Sequence, residues 1–244
     1  MISGVRGESM WTRARGVVRS LAERWALPQR CLFCGATDPR EGICGPCRQN
    51  LPGSHAVRCP TCGNLSLAGE ICGECIARKP RFSRLSVAAS YRFPVDGAIQ
   101  RLKYGADLST VAPLAALLAD RVNRETRPDL LLAMPMAPQR LRERGFNQAQ
   151  ELGRALAERL SLKLAPALCR RTRHTAPQAA LPWAERRRNI RGAFECEADL
   201  FGAHVAVVDD VLTTGATLDE LAGVLLDRGA AEVWGWVVAR AERP

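Results

Sequence analysis

The chain has 244 residues, 47% hydrophobic and 25% charged, which suits a soluble globular protein with room for one α/β domain and a smaller module. No apolar stretch approaches the roughly 18 residues of a membrane span, and the Arg-rich start lacks a signal peptide's apolar centre, so a cytoplasmic protein is expected. The net charge of +10 is concentrated: residues 1–30 carry six Arg against two Glu, and residues 170–191 seven Arg against one Glu. These two segments account for the whole excess and suggest contact with phosphate or nucleic acid.

From Ser9 to Leu27 the pattern suits a short helix, with Val17, Val18, Leu21 and Trp25 on one side and Arg13, Arg15, Arg19 and Arg24 elsewhere. Such a helix could lie on a membrane or DNA, or dock on its own protein through Trp25; the last is preferred. Next come Cys31, Cys34, Cys44, Cys47, Cys59, Cys62, Cys72 and Cys75, four C-x-x-C pairs. Each cysteine of the first half recurs 28 residues later, as do Gly35/Gly63, Ile43/Ile71, Gly45/Gly73 and Pro52/Pro80, an internal duplication. Each unit reads C-x2-C-x9-C-x2-C, two turns gripping one tetrahedral ion, and closed four-thiolate coordination indicates structural Zn²⁺. One zinc per repeat, two in all, is favoured over cross-braced pairing. Disulfides would need an oxidising compartment that nothing in the chain indicates.

Residues 76–85 read as a linker. Leu85 to Phe93 follows as a strand, then helices from Asp96 to Tyr104 and from Val111 to Val122, the second with its stripe at Val111, Leu114, Ala115, Leu118 and Val122. Leu130 to Met134 is a buried strand that runs into an Arg-rich loop from Pro138 to Asn147, and Gln148 to Leu160 is a helix. Alternating strands and helices argue a parallel, doubly wound sheet with ligand sites at the carboxyl ends of its strands. Cys169 to Phe194 reads as a mobile Arg-dense loop; Cys169 and Cys196 fall outside the cysteine array and are expected as buried apolar residues. Glu232 to Ala239 is the last strand, with Trp234 and Trp236 on one face.

The most informative stretch runs from His204 to Leu225. A continuous apolar run, His204 to Val208, is expected to end at Asp209 and Asp210; a small hydroxyl-rich turn follows, then a helix with Leu218, Leu221, Ala222 and Leu225 on one face, closed by Gly229. Bare amides at that helix start, the permissive Gly215 and the hydroxyls of Thr213, Thr214 and Thr217 form an anion site. The two carboxylates would repel phosphate, so they should hold hydroxyls or a cation beside it. A ribose 5-phosphate has that layout. The bland alternative is a strand–loop–helix in which one Asp merely caps the helix.

Asp209-Asp210-Val211-Leu212-Thr213-Thr214-Gly215-Ala216-Thr217 resembles the 5-phosphoribosyl 1-diphosphate (PRPP) motif of type I phosphoribosyltransferases. The resemblance implies that this stretch binds PRPP, with Asp209 and Asp210 on the ribose hydroxyls and Thr213, Thr214, Gly215 and Thr217 on the 5′-phosphate; in a transfer reaction Asp209 would help to stabilise the cationic sugar. With Leu102-Lys103-Tyr104, Arg142 to Gln148, Thr175 to Gln178 and Arg188-Asn189, the chain resembles the ComF family of competence proteins. That resemblance covers nearly everything after residue 30 and implies a zinc ribbon joined to a type I phosphoribosyltransferase-like parallel sheet, here a double zinc ribbon at 31–80 before the sheet at 81–244; the basic N-terminal helix at 1–30 rests on the residue pattern alone. The resemblance further implies Mg²⁺ with PRPP, a role in DNA uptake with incoming single-stranded DNA, and a helicase-like ATPase partner. Arg142, Arg144, Arg186, Arg187 and Arg188 are the candidates for the diphosphate, although a DNA backbone or plain solvent would also suit them. The alternatives are an active phosphoribosyltransferase of nucleotide salvage and a non-catalytic zinc-ribbon module that binds nucleic acid.

Overall fold

The computed structural model describes residues 30–37, 40–122, 127–172 and 190–242. The expected N-terminal helix, the Thr175–Gln178 and Arg188-Asn189 blocks, and Arg186, Arg187 and Arg188 lie outside the described residues. The two ribbons come first, each a cysteine turn followed by one short helix, α1 (Gly45–Gln49) and α2 (Gly73–Ala77). Then follow β1 (Arg84–Ser90), α3 (Val95–Gly105), α4 (Val111–Ala119), β2 (Leu130–Ala133), α5 (Pro138–Arg144) and α6 (Gln148–Leu160). A small hairpin of β3 (Cys169–Arg171) and β4 (Phe194–Cys196) precedes β5 (His204–Leu212), α7 (Ala216–Asp227) and β6 (Glu232–Arg240).

The main sheet is parallel, in the order β1-β6-β5-β2. Its two faces bury separate apolar clusters. On one side Ala206, Val208, Trp234, Trp236 and Val238 pack with Ile99 and Leu102 of α3, Leu114 and Leu118 of α4, and Leu152 and Leu156 of α6. On the other, Val205, Val207, Val233 and Val237 meet Leu218, Leu221 and Leu225 of α7 together with Cys169, Phe194 and Cys196 of the hairpin. The two hairpin cysteines face each other in the ladder, both buried, as their position outside the cysteine array suggested.

Three expectations are corrected. The first concerns α4, which is buried on every side from Pro113 to Ala119 rather than along one stripe, because the first ribbon covers its outer face. Ile43, Cys31 and Leu51 of that ribbon belong to the main core. The approach is close: Gly42, at φ 75, would place a Cβ only 2.5 Å from Pro113 Cγ. The second concerns Pro138 to Asn147, which is not wholly a loop. Pro138 occupies a first-turn position where its missing N–H costs nothing, and Gly145 (φ 82) supplies the left-handed cap, so the segment between them is helical. That helix carries a single aliphatic side chain, the 42%-exposed Leu141, and therefore no stripe that periodicity could detect.

The third correction bears directly on function. Asp209 and Asp210 do not end their strand, since β5 runs on to Leu212 alongside β6, with Asp209 opposite Val237 and Leu212 opposite Arg240. The other neighbour, β2, stops at Ala133, opposite Val208. Beyond that point β5 has lost one partner, and a crevice opens beside the acidic pair.

Candidate functional site

That crevice is a cleft of about 630 Å³ at the carboxyl ends of the strands. Its walls come from the end of α3, the segment after β2, α5 and the start of α6, and the turn from β5 into α7. Eight of the nine residues expected from Asp209 to Thr217 line it; Ala216 does not, being buried at the first position of α7. Gly215 has φ 77 and allows the sharp entry into α7, while Thr214 Oγ1 accepts from the Ala216 N–H at 3.2 Å. Asn147 fixes the opposite wall: its side chain accepts from Ala149 N at 3.0 Å and donates to Met134 O at 3.1 Å, tying the start of α6 to the end of β2.

Successive side chains of a strand point to opposite faces, so the adjacent acids have different surroundings. Asp210 lies on the α3 side, 2% exposed, with Oδ2 2.6 Å from the Lys103 ammonium and Oδ1 accepting from Val211 N at 2.9 Å. Burial works against the charge on Lys103, yet the Asp210 carboxylate outweighs it and raises the ammonium's pKa. Asp209 lies on the α7 side, partly open to the cleft but otherwise enclosed by protein. Burial, reinforced by the neighbouring Asp210 charge, pushes its carboxyl well above the usual carboxylate range.

Among the described residues four cations share the cleft: Lys103, Arg140, Arg144 and Arg171. Arg144 was expected there. Arg142 was also expected but is not in the lining, because positions 140 and 144 share one face of α5 while 142 points away from both. Arg171 lies over the Phe194 ring at 5.7 Å; burial lowers its pKa, nearby Arg140 lowers it further, and Asp209 opposes both. Lys103, Arg140 and Arg171 were not among the diphosphate candidates, although Lys103 stands in the Leu102-Lys103-Tyr104 block and Arg140 in the Arg-rich segment after β2. Lys103 did carry a signal, being one of only three lysines in an Arg-rich chain. At the rim, the Arg144 guanidinium lies 5.6 Å from the ring centre of Tyr104, which is 79% exposed.

The cysteines form two separate clusters, Cys31, Cys34, Cys44 and Cys47, and Cys59, Cys62, Cys72 and Cys75, with the sulfurs of each within 4.8 Å of one another. A tetrahedral zinc with Zn–S of about 2.3 Å requires S···S distances of about 3.8 Å, so both clusters fit one ion per repeat. Corresponding amides serve both: Cys44 N–H donates to Cys31 Sγ and Cys72 N–H to Cys59 Sγ, each at 3.4 Å. Burial opposes ionisation of Cys31 and Cys59, but the amides directed at their sulfurs prevail and lower the thiols to about 6 and about 7, toward the thiolate a metal needs.

The model of the double zinc ribbon domain matches residues 22–76. The DNA utilization protein YhgH of Escherichia coli (strain K12) is 34% identical over 206 residues, 82% of this chain and 90% of that one. Competence protein F of Haemophilus influenzae is 30% identical over 224 residues, 87% of this chain and 97% of its own. The chain belongs to the ComF family of competence proteins. ComFC of Bacillus subtilis is 26% identical over 83% of this chain and 86% of its own. Among solved structures, a purine phosphoribosyltransferase from Pyrococcus horikoshii is similar at 20% identity, with a TM-score of 0.33, over 54% of this chain and 74% of that one. The ComF chain thus joins a parallel α/β sheet to paired zinc-ribbon cysteine clusters, and among its described residues no helix is long and apolar enough to cross a membrane.

Proposed function

We propose that the cleft binds PRPP and that the protein serves DNA uptake in the cytoplasm by handling incoming single-stranded DNA. One observation carries the first part: both carboxylates, the Gly215 turn and four cations converge on a single crevice where β5 outruns β2. In this reading the 5′-phosphate sits against the amides and hydroxyls of Thr213, Thr214 and Thr217, at the positive end of α7. Asp209 and Asp210 accept the ribose hydroxyls. Arg140, Arg144, Arg171 and Lys103 neutralise the diphosphate, where the rigid guanidinium fork favours paired oxygens. Their hard carboxylate oxygens also fit Asp209 and Asp210 to hold Mg²⁺, whose chemistry there is charge neutralisation of the diphosphate.

Calorimetry with Mg²⁺ and PRPP tests the reading; no heat of binding in the wild type overturns it. The two faces of α5 give a finer check. Arg140→Ala and Arg144→Ala should each weaken binding about tenfold, the value of one charge-assisted contact, while Arg142→Ala leaves affinity unchanged. Equal losses at all three positions would mean a diffuse field rather than contacts.

Exposed Tyr104 at the cleft rim, with Arg144 beside its ring, favours the DNA-handling part of the reading, since an aromatic face next to a cation is what an unpaired base stacks on. The names of the two relatives, a DNA utilization protein and a competence protein, agree with it. Oligonucleotide affinity should fall steeply with salt and lose about 1–3 kcal/mol in Tyr104→Ala. A fluorescence titration without binding at low salt removes this part.

A further inference from the structure

Arg240 is the last residue of β6 and is 3% exposed. Its guanidinium makes contact in two directions. Toward the second ribbon, Nε donates to the Cys62 carbonyl at 3.1 Å and Nη2 to Asn64 Oδ1 at 2.7 Å. Toward the turn after β5, Nη1 donates to the Leu212 carbonyl at 3.1 Å and to the Thr213 carbonyl, with Ala241 O at 2.7 Å beside them. One buried side chain therefore joins a zinc-ligating cysteine to the start of the turn assigned to the 5′-phosphate. Only Arg has enough donors, held rigidly enough, to span both.

The turn is also backed by the Phe82 ring, 3.7 Å from where a Gly215 Cβ would stand, and by Ala241 N donating to Leu212 O at 2.9 Å. A second cleft of about 340 Å³ is lined by Cys62 and Cys75 of the ribbon, by Leu212, Thr214 and Gly215, and by Arg240 and Phe82. Thr214 and Gly215 line this cleft and the main one as well, so the turn is a thin wall between two spaces. The Cys62 sulfur is gathered with those of Cys59, Cys72 and Cys75, so an ion held there would help to fix the Cys62 carbonyl. The Gly63 backbone beyond it is packed so closely that a Cβ there would lie 2.7 Å from Leu85 and 2.8 Å from Val87. A shift of the ribbon is thus passed to the sheet edge and, through the guanidinium, to the turn.

We infer that Arg240 is a positioning residue that couples the metal state of the second ribbon to ligand affinity in the cleft. This rests on the reading of that cleft as a PRPP site. Coupling between sites is reciprocal in free energy, so a ligand that binds the ordered turn tightens zinc in the second ribbon and leaves the first unaffected. Chelator competition on the full chain, with and without saturating Mg²⁺ and PRPP, measures this; Cys72→Ser identifies which of the two zinc equilibria belongs to the second ribbon. The wild type should show about a fivefold gain in zinc affinity at that site alone, at the lower end of common couplings. Arg240→Gln should still hold two zinc ions yet lose the gain and bind PRPP about tenfold more weakly. Asn64→Ala removes one of the two ribbon-side contacts of Arg240, together with the bond that Asn64 donates to Glu74 Oε2 at 3.2 Å, keeps the Cys62 carbonyl contact, and should shrink the gain even if Arg240→Gln does not fold. Heat on PRPP addition with unchanged zinc affinity in the wild type overturns the coupling alone. No heat removes the ligand, and the coupling with it.

Discussion

Asp209→Asn is expected to weaken PRPP binding about 100-fold and, in the same protein, to raise the melting temperature. The loss in binding follows from two charge-assisted hydrogen bonds to ribose hydroxyls at about 1.5 kcal/mol each. The gain in stability follows from burial and the adjacent Asp210, which hold the Asp209 carboxyl well above its ordinary range. For an acid, a raised folded pKa means that folding penalises the ionised form; the penalty is complete above the folded pKa, shrinks as pH falls below it, and is gone below the ordinary carboxylate value of the unfolded chain. Asparagine never bears that charge. The stability gap between variant and wild type should therefore be widest at neutral and alkaline pH and should close on acidification, while wild-type affinity for PRPP falls over the same acid limb. The next residue should respond in the opposite sense. Asp210 is buried in an ion pair with Lys103 at 2.6 Å, and Lys103→Met would leave that carboxylate without its counter-charge, at about 3–5 kcal/mol. Paired unfolding and calorimetric titrations of the two variants decide the matter: a lower melting temperature for Asp209→Asn would show that Asp209 serves the fold and not a ligand.

Why these neighbouring acids differ could not be read from their adjacency in the sequence. The strand and turn that carry them were legible because His204 to Val208 is an uninterrupted apolar run, and because Gly215 between threonines restricts what the turn can be. The duplication of 28 residues favoured one ion per repeat without deciding between that and cross-braced pairing; the two within-repeat clusters of the fold match the favoured arrangement. The crevice was hidden in the register between chains: it exists because β2 ends at Ala133 while β5 continues for four residues past Val208. Lys103 and Arg171 reach it from a helix and a strand remote in sequence. Their neighbours along the chain, Leu102 and Arg170, gave no periodic cue to a shared cleft. Arg140 and Arg144 were separable from Arg142 only once α5 was known to be a helix. Arg240 had the weakest signal of all, because the Ala-Arg-Ala-Glu-Arg run from Ala239 reads as ordinary surface charge until Cys62 and Leu212 are seen on either side of it.

The two ribbons, identical in metal chemistry, should fail differently. Cys34 is exposed, so Cys34→Ser removes little but a zinc ligand, and zinc content should fall from two ions to one. The first ribbon cannot fold without its ion, and Ile43 and Leu51, which it places in the main core at 2% and 5% exposure, would be withdrawn from α4. Each such side chain contributes about 1.5–3 kcal/mol, so the loss should be about 4 kcal/mol and the fall in melting temperature about 10 °C for a domain of this size. The second ribbon is anchored mainly by polar contacts. Leu85 N donates to Pro60 O at 2.9 Å, Arg58 donates to Ser90 Oγ at 2.8 Å, and Arg240 spans to the turn. Its buried cluster is little more than its own Cys59, Cys62 and Cys75. A hydrogen bond gives about 1 kcal/mol net, so Cys72→Ser should lower the melting temperature by less than half as much, with its larger effect on PRPP affinity. Calorimetric melts of the two serine variants make the comparison. An equal or greater loss of stability in Cys72→Ser would mean that the sheet depends on the second ribbon as fully as on the first, and that apolar docking against α4 is not what sets the first apart.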